Sequence, residues 1–405
     1  MTATVLKVRL GSTLRLARTD DAVAGMPLLA PTGPDACLGG ASGAEGLAVP
    51  VQPNATTLFG PRGACLLGAG GPLWVSDTGH HRLLGWKQKP LHDQQPADWL
   101  IGQPEFGREG RNAKGAVSAL TLNVPTGIAA CGAGLVVADA WNHRVLIWHR
   151  APTGSQVAPD VVLGQADFAS GASNRGADGP SDASLFWPYG VHWDGARLWV
   201  ADSGNRRVLG WSGLPERNGA PAERILGQRD FGCRDENGGG EPSASSLRWP
   251  HAVATWRGRL CVADAGNNRV MVWDRAPEHD NAACDHMLGQ TDCAKVDNNQ
   301  SLYWPNAASL NMPYGMAAAG DWLLVADTAN SRLIAWHADD CRTGAAARAL
   351  SAQPDFSAKG DNRWQQPQRD SVCWPYGIAA CGPNVVVADS GNNRVLLWWL
   401  AAGML

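Results

Sequence analysis

The chain has 405 residues, a formal net charge of −3, and six lysines beside 28 arginines. Six of those arginines belong to a repeated motif, so no free basic surface is left for phosphates and nucleic-acid binding is disfavoured. No stretch reaches the roughly 18 apolar residues of a membrane-spanning helix, and the N-terminus lacks the apolar core of a signal peptide. Ten cysteines without a C-x-x-C pair predict that the thiols are reduced. We therefore expect a cytoplasmic protein that does not contact a membrane.

The first 57 residues fall into two predicted parts. Within residues 1–24, TVLKVRL and TLRLAR flank a Gly-Ser pair, which indicates an additional hairpin. Residues 25–40 read GMPLLAPTGPDACLGG and resemble the LGQ-type strand that ends the later repeats. Because the last repeat stops at residue 399 without such a strand, residues 25–57 are predicted to be a closing strand and its loop.

Residues 58–399 contain six repeats, each of about 62 residues, and a repeat this regular predicts one packed structural unit per copy. In every copy an aspartate is followed five residues later by an arginine and nine residues later by a tryptophan. The aspartates are Asp77, Asp139, Asp202, Asp264, Asp327 and Asp389. The arginines are Arg82, Arg144, Arg207, Arg269, Arg332 and Arg394. The tryptophans are Trp86, Trp148, Trp211, Trp273, Trp336 and Trp398.

The repeat from Ser184 to Phe231 illustrates the predicted strands. It contains SLFWPYGVHWD, ARLWVAD, RVLGW and ERILGQRDF, separated by turns rich in Pro, Gly and Asn and without a helical period. Four antiparallel strands repeated around a ring are typical of a β-propeller. We therefore predict an all-β chain that forms a single domain over residues 1–405. The domain is a six-bladed β-propeller of four-stranded antiparallel blades, and its N-terminal strand completes the last blade.

The combination of P-x-G-[IV], L-x-V-A-D and D-x-x-N-x-R-V resembles the NHL-repeat family, and the LGQxDF strand is similar to its bacterial, long-repeat members. The resemblance covers about 340 residues, with one departure in the first repeat, where Ser76 and His80 replace the usual Ala and Asn. It implies a six-bladed propeller that serves as a binding platform more often than as an enzyme.

The repeated residues are predicted to be structural, because a catalytic role for one aspartate would have to explain five equivalents. We expect the Asp to accept N–H bonds in the turn that follows it, and the Asn three residues later to adopt a positive φ. The Arg is expected to form a bidentate pair with a carboxylate, and the Trp to pack between blades. The Gln of each LGQ strand is expected to hydrogen-bond between blades.

Chemistry is expected where the repeats differ, and the residue between Pro and Gly at the start of each first strand differs most. Because first strands line the channel of a propeller, these residues are predicted to form a polar cup for a small polar or anionic ligand at the channel mouth. The alternative is that they only cover the blade ends. The six residues are Arg62, Thr126, Tyr189, His251, Tyr314 and Tyr376.

Tryptophans beside this position suggest a surface for a protein partner. Burial that only anchors the loops is the alternative interpretation. The candidates are Trp187, Trp249 and Trp374 in W-P pairs, Trp304 in a longer loop, and Trp141 in the turn of the second repeat.

An enzyme is the less favoured class, and no catalytic residue is assigned. The peptidyl-amidating lyases, which are similar propellers, hold zinc with histidines from several blades, whereas only His251 stands at this position here. Lactonase-like propellers bind calcium with channel carboxylates, and none replaces the central residue of P-x-G. No cofactor is predicted, although channel zinc or calcium stays open. We expect a binding or scaffold propeller, for example an accessory factor of a larger enzyme complex; the alternative is a metal-assisted hydrolase or lyase in the channel.

Overall fold

A computed structural model describes residues 23–40 and 52–404. Six β-sheets are arranged as blades in a ring, with no α-helix among the described residues, and this confirms the predicted all-β six-bladed propeller. The predicted N-terminal hairpin, apart from its last two residues, and the part of the predicted loop over residues 41–51 lie outside the described residues.

The strands follow one another in chain order, four to a blade, with two short N-terminal strands. The N-terminal strands are β1 (Met26–Pro27) and β2 (Ala36–Gly39). Blade one consists of β3 (Gly63–Leu66), β4 (Leu73–Asp77), β5 (Arg82–Trp86) and β6 (Trp99–Ile101). Blade two consists of β7 (Pro125–Cys131), β8 (Gly134–Asp139), β9 (Arg144–Trp148) and β10 (Val161–Leu163). Blade three consists of β11 (Pro188–Trp193), β12 (Arg197–Asp202), β13 (Arg207–Ser212) and β14 (Arg224–Leu226).

The last three blades repeat the plan. Blade four consists of β15 (Pro250–Trp256), β16 (Arg259–Asp264), β17 (Arg269–Trp273) and β18 (His286–Leu288). Blade five consists of β19 (Pro313–Ala319), β20 (Trp322–Asp327), β21 (Arg332–His337) and β22 (Ala349–Ser351). Blade six contains β23 (Pro375–Cys381), β24 (Asn384–Asp389) and β25 (Arg394–Trp399).

The N-terminal strands join the last two blades. Strand β2 lies antiparallel to β25, with Leu38 opposite Val395, and is the fourth strand of blade six. The Trp398 indole also donates to the Ala30 carbonyl at 2.8 Å, as the equivalent tryptophans donate to carbonyls nine residues further along the chain. Strand β1 lies parallel to β22 as a fifth strand of blade five, a feature that the sequence did not predict.

Short 3-10 helices occupy two places in the blades. One follows the motif aspartate, as in Ser203–Asn205, and its capping residue is left-handed, for example Arg206 at φ 55°. The predicted positive φ at the third-position Asn is therefore wrong, because that Asn stays in the helix and donates to the Asp side chain. The members of this first group are Thr78–His80, Ala140–Asn142, Ser203–Asn205, Ala265–Asn267, Thr328–Asn330 and Ser390–Asn392. The second group lies in the loops that lead from a fourth strand to the next blade, and it comprises Arg111–Lys114, Ser173–Gly176, Glu236–Gly239, Asn298–Ser301 and Asp361–Trp364. Two further 3-10 helices, Ala338–Asp340 and Ala402–Met404, lie elsewhere.

The motif aspartate and arginine form a buried clamp in each blade, as blade three shows. Asp202 Oδ1 accepts the N–H of Phe186, and its Oδ2 accepts from Asn205 at 2.8 Å and from Arg207 Nε at 2.8 Å. The other guanidinium nitrogens of Arg207 donate to three loop carbonyls, including that of Phe231. The clamp is thus structural, but the predicted bidentate Arg–carboxylate pair is wrong, since the remaining donors of the arginine bind backbone carbonyls of the loops.

The repeated tryptophan and glutamine have different roles: the tryptophan packs between blades, and the glutamine hydrogen-bonds within its own blade and loop. Trp148 packs in a cluster with residues of blade one, including Trp74 and Leu83, as predicted for an inter-blade tryptophan. The Gln165 side chain instead donates to the carbonyls of His143 and Ala172, within its own blade and loop. The predicted inter-blade role of this glutamine is therefore wrong.

Candidate functional site at the channel mouth

In blades three to six, the variable residue of the P-x-G sequence is displaced by a β-bulge at the start of the first strand. In blade three, Pro188 pairs with Asp202 and Gly190 with Ala201, so that Tyr189 is skipped. The same register shift occurs at the corresponding position of blades four, five and six. A bulge re-aims a side chain at the rim of a sheet, and it brings the variable residues together at the channel mouth.

The glycine of P-x-G is required by the close approach of the next blade. A Cβ on Gly127 would lie 2.5 Å from the Tyr189 carbonyl oxygen, and one on Gly377 would lie 2.5 Å from that of Arg62. Real Cβ atoms do not approach a carbonyl so closely, so the inner strands pack backbone against backbone. The variable residues of neighbouring blades are consequently side by side around the channel.

Five of the six predicted cup residues stack on one another in a closed circle. Ring centroids are separated by 4.8 Å between Tyr189 and His251, 4.2 Å between His251 and Tyr314, and 4.5 Å between Tyr314 and Tyr376. The Arg62 guanidinium lies 4.5 Å from the Tyr376 ring centre and 5.9 Å from that of Tyr189. These side chains fill the mouth, and the channel cavity beside them measures about 90 Å³.

The sixth residue, Thr126, is buried and turned away from the circle. Its hydroxyl donates to the Tyr189 carbonyl at 3.0 Å, which ties blade two to blade three. Because Thr126 is small and bound in this way, Arg62 of blade one can reach past it to Tyr189 of blade three.

His251 is a neutral member of the circle. Burial, together with the Arg62 charge, lowers the pKa of His251 to about 4, although the Trp249 carbonyl acts in the opposite direction. That carbonyl lies 3.1 Å from His251 Nδ1, and because a carbonyl can only accept, Nδ1 carries the proton. Burial also raises the pKa of the Tyr314 phenol. Arg62 is therefore the one cation among these six residues at neutral pH.

In five of the six repeats, a side chain of the preceding blade accepts the backbone N–H of the residue just before Pro. The left-handed residues His81, His143, Asn268, Ser331 and Asn393 accept its N–H, as when His143 Nδ1 accepts from Trp187 at 3.1 Å. With this bond the residue before Pro itself adopts a positive φ, 49° for both Trp187 and Trp374.

Trp249 is the exception, because the residue that should accept its N–H is Arg206, which has no acceptor. The Trp249 N–H lies instead 3.2 Å from Asp264 Oδ1, and its φ is not positive. The indole stands edge-on to His251 at 5.7 Å and is 41% exposed. Alignment of the W-P pairs did not reveal this difference. The arginine at position 206, where other repeats have an acceptor side chain, could have indicated it.

A depression of about 480 Å³ lies beside the mouth over blades six, one and two. Trp141 and Trp374 stand at its walls, together with Phe59, and Arg62 and Tyr376 form part of its floor. Trp141 stacks on Trp187 with ring centres 6.4 Å apart, and the Arg111 guanidinium lies 4.9 Å from the Trp141 ring centre. Two predicted partner-surface residues and three predicted cup residues, including Tyr189, thus meet at one site.

Two further aromatic positions lie outside this depression. Trp304 packs edge-on against Tyr303 at 4.8 Å, and Lys359 lies over the Tyr303 ring. Trp364 was missed by the sequence analysis because it is absent from the W-P pattern; it is 69% exposed at a positive φ of 61°. Within residues 23–40 and 52–404, no group of three or more His, Cys, Asp or Glu side chains is placed to hold a metal ion, and no helix is long and apolar enough to cross a membrane.

Comparison with known proteins agrees with this architecture. The NHL repeat family profile matches residues 247–273, which include the inner strand, clamp aspartate and clamp arginine of blade four. The other five blades carry the same clamp in the same register. The protein is a six-bladed β-propeller, and one of its repeats matches the NHL repeat family profile.

Solved structures with a similar fold have little sequence in common with this chain. Hydrazine synthase of Kuenenia stuttgartiensis is 13% identical, with 88% of this chain and 98% of that chain covered and a TM-score of 0.47. Virginiamycin B lyase of Staphylococcus aureus is 11% identical, with 86% and 97% covered and a TM-score of 0.44. A Bacteroides thetaiotaomicron protein of unknown function is 10% identical, with 91% and 75% covered and a TM-score of 0.48. A search of curated protein sequences gives no match.

Proposed function

We propose that this protein is a non-catalytic binding propeller of the cytoplasm that engages a protein partner through its mouth face. The mouth face is the end of the ring that carries the starts of the first strands, the clamp turns, and the loops that lead from each fourth strand to the next blade. Because strands alternate in direction, all three features lie at the same end.

The observation that carries this proposal is the distribution of exposed apolar side chains. Most of the large hydrophobic residues that are exposed belong to loops of the mouth face, and clustered apolar surface with aromatic residues is typical of protein interfaces. On the mouth face they are Phe59, Leu120, Trp141, Trp249, Leu302, Tyr303, Trp364 and Trp374. Elsewhere they are Val23, Leu91, Val157 and Trp399.

Site-specific photo-crosslinking tests this proposal with a matched pair of positions. Trp364 on the mouth face and Leu91 at the other end of the ring are 69% and 67% exposed, so a photoreactive phenylalanine is equally accessible at either. We expect one recurrent cross-linked protein from the native cell lysate at position 364 and none at position 91. A recurrent cross-linked protein at position 91, with none at position 364, would refute the mouth face as the interface.

The scaffold proposal also makes a claim about metals. With one imidazole among the six mouth residues, we expect no stoichiometric zinc or calcium in protein purified without chelators, as measured by inductively coupled plasma mass spectrometry. One bound ion per chain would contradict a pure scaffold and favour the metal-assisted hydrolase or lyase. The identity of the cross-linked partner would show whether the protein is an accessory factor of a larger enzyme complex.

A further inference from the structure

The Arg62 guanidinium is a cation without a counter-charge. Within the described part of the chain it makes no hydrogen bond or ion pair, and its neighbours are the faces of Tyr376 and Tyr189. Two other arginines of the mouth face are paired, Arg248 with Glu236 at 2.8 Å and Arg363 with Asp370 at 2.8 Å. A half-buried arginine has five N–H donors to satisfy, so Arg62 is prepared for an acceptor from outside.

The depression above Arg62 favours a negative charge. Its described lining includes Arg62 and Arg111 and no aspartate or glutamate. Its remaining walls are largely apolar and aromatic, with Phe59, Trp141 and Trp374 exposed at the rim. A volume of about 480 Å³ falls within the ~300–1,000 Å³ that is usual for ligand pockets. The occupant that fits is a negatively charged group attached to an apolar body.

The charge at the floor selects among negative groups. Because His251 is neutral, Arg62 alone among the six mouth residues is charged, which matches the single charge of a carboxylate better than the ~−2 charge of a phosphate. The planar guanidinium also suits the two oxygens of a carboxylate. Arg111 lies at the rim, stacked on Trp141, where it adds attraction without fixing the geometry.

We propose that this depression binds a carboxylate of the partner next to an aromatic or other apolar side chain, with Arg62 as the anchor for the carboxylate and Trp141 and Trp374 as walls for the apolar group. This inference rests on the proposed function and specifies which peptide feature the mouth face recognises. The carboxylate can come from a chain terminus or from an acidic side chain, since both present the same two oxygens.

Small probes separate these possibilities by isothermal titration calorimetry and ligand-observed NMR. N-acetyl-phenylalanine carries a terminal carboxylate, and N-acetyl-phenylalaninamide is its neutral counterpart. N-acetyl-aspartyl-phenylalaninamide carries a side-chain carboxylate, and its asparaginyl counterpart is neutral. We expect at least one acid to bind about tenfold more tightly than its neutral counterpart, because a hydrogen bond to a charged group is stronger than one to a neutral group. Equal affinities within both pairs would overturn the proposal, and so would tighter binding of phenyl phosphate.

Variants link the preference to the residues. Arg62→Gln should abolish the preference for the acid, and Arg62→Lys should restore part of it. Arg111→Gln, at an exposed position where folding is not at risk, should weaken acid binding several-fold because the attraction at the rim is lost. Arg229→Gln, at an exposed arginine of the same face outside the depression, should bind as the wild type does. Unchanged binding by both the Arg62→Gln and Arg111→Gln variants would refute the site.

The two proposals fail in different ways. Cross-linking at position 364 without any acid preference would keep the mouth face as an interface and remove the carboxylate site. An acid preference without cross-linking at position 364 would keep the site and remove the protein-partner function.

Discussion

Ser390 of blade six donates its hydroxyl to the carbonyl oxygen of Pro61 in blade one. The same bond joins Thr78 to Pro125 at 2.7 Å and Ser203 to Pro250, and thus recurs between other blades. At the Ser390 position, the bond joins two residues more than 300 positions apart, at the point where the ring closes.

Ser390→Ala should lower the free energy of unfolding by about 1 kcal/mol, because the Pro61 carbonyl loses its buried partner. Ser203→Ala is the matched variant, since it removes the same bond between two blades that are consecutive in the chain. We expect equal losses in urea denaturation. An unchanged midpoint in both variants would show that this bond does not contribute to stability.

The clamp arginine should be far more sensitive than an exposed arginine. Arg207→Met leaves the Asp202 carboxylate buried beside an apolar side chain and deprives three loop carbonyls of their donor. We expect a loss of about 3–5 kcal/mol, as is usual when one partner of a buried pair is removed. Arg229→Met, at a side chain 77% exposed, should change the free energy of unfolding by no more than about 0.5 kcal/mol. Similar losses in the two variants would contradict a role for the clamp.

The contribution of the neutral, buried histidines to stability should be lost as the solution is made mildly acidic. Burial lowers the pKa of His81, His143, His192 and His251 to about 4, and Arg111 and Arg62 add to this effect for His81 and His251. Between about pH 6.5 and pH 4 the unfolded chain thus binds more protons than the folded chain. The contribution of these groups is present above pH 6.5 and is lost as the pH falls towards 4.

Urea denaturation at pH 7.5, 6.0 and 5.0 measures this dependence. His251→Gln should reduce the slope of stability against pH, whereas His279→Gln, at an exposed position, should leave it as in the wild type. A slope that does not differ between wild type and His251→Gln would exclude His251 as a contributor.

The position of Trp249 should follow the residue at position 206. Arg206→Asn provides the acceptor that Asn268 provides for the N–H of Met312, at 2.8 Å, and should turn Trp249 into the positive-φ conformation of Trp187. The protein is labelled with 5-fluorotryptophan, and the Trp249 resonance is assigned with the Trp249→Phe variant. In Arg206→Asn this fluorine resonance should show a smaller solvent-isotope shift than in the wild type. Arg206→Ala, which removes the arginine without adding an acceptor, should leave this resonance near its original position. An identical response in both variants would refute the acceptor explanation.

The fold could be predicted from the sequence because its determinants are local and repeated. Turn residues and alternating strands define each blade, and the spacing of Asp202 and Arg207 reports that they pair across one tight turn. The use of the remaining Arg207 donors could not be predicted, because the loop carbonyls that receive them lie 23 to 26 residues away along the chain. Strand β1 also escaped prediction, since two residues carry no periodicity.

Five of the six predicted residues meet at the candidate site, but their arrangement was not predicted. Alignment of the repeats brought Tyr189, His251 and Tyr314 to equivalent positions, and their meeting at the mouth follows from ring symmetry. Their mutual stacking depends on the bulge and on the small size of Thr126, both of which are three-dimensional relationships between blades. Whether these residues bind a ligand stays a prediction.

Blade six is assembled from β2, near one end of the described chain, and β23 to β25, near the other. During synthesis, blades one to five can pair their second, third and fourth strands as each repeat leaves the ribosome. Strand β2 has to wait for more than 350 further residues before its partner exists, and contacts this distant form late. Until then Leu38 and its neighbours have no sheet to join, so the interval between translation of β2 and of β25 is the time during which the nascent protein most needs protection from aggregation.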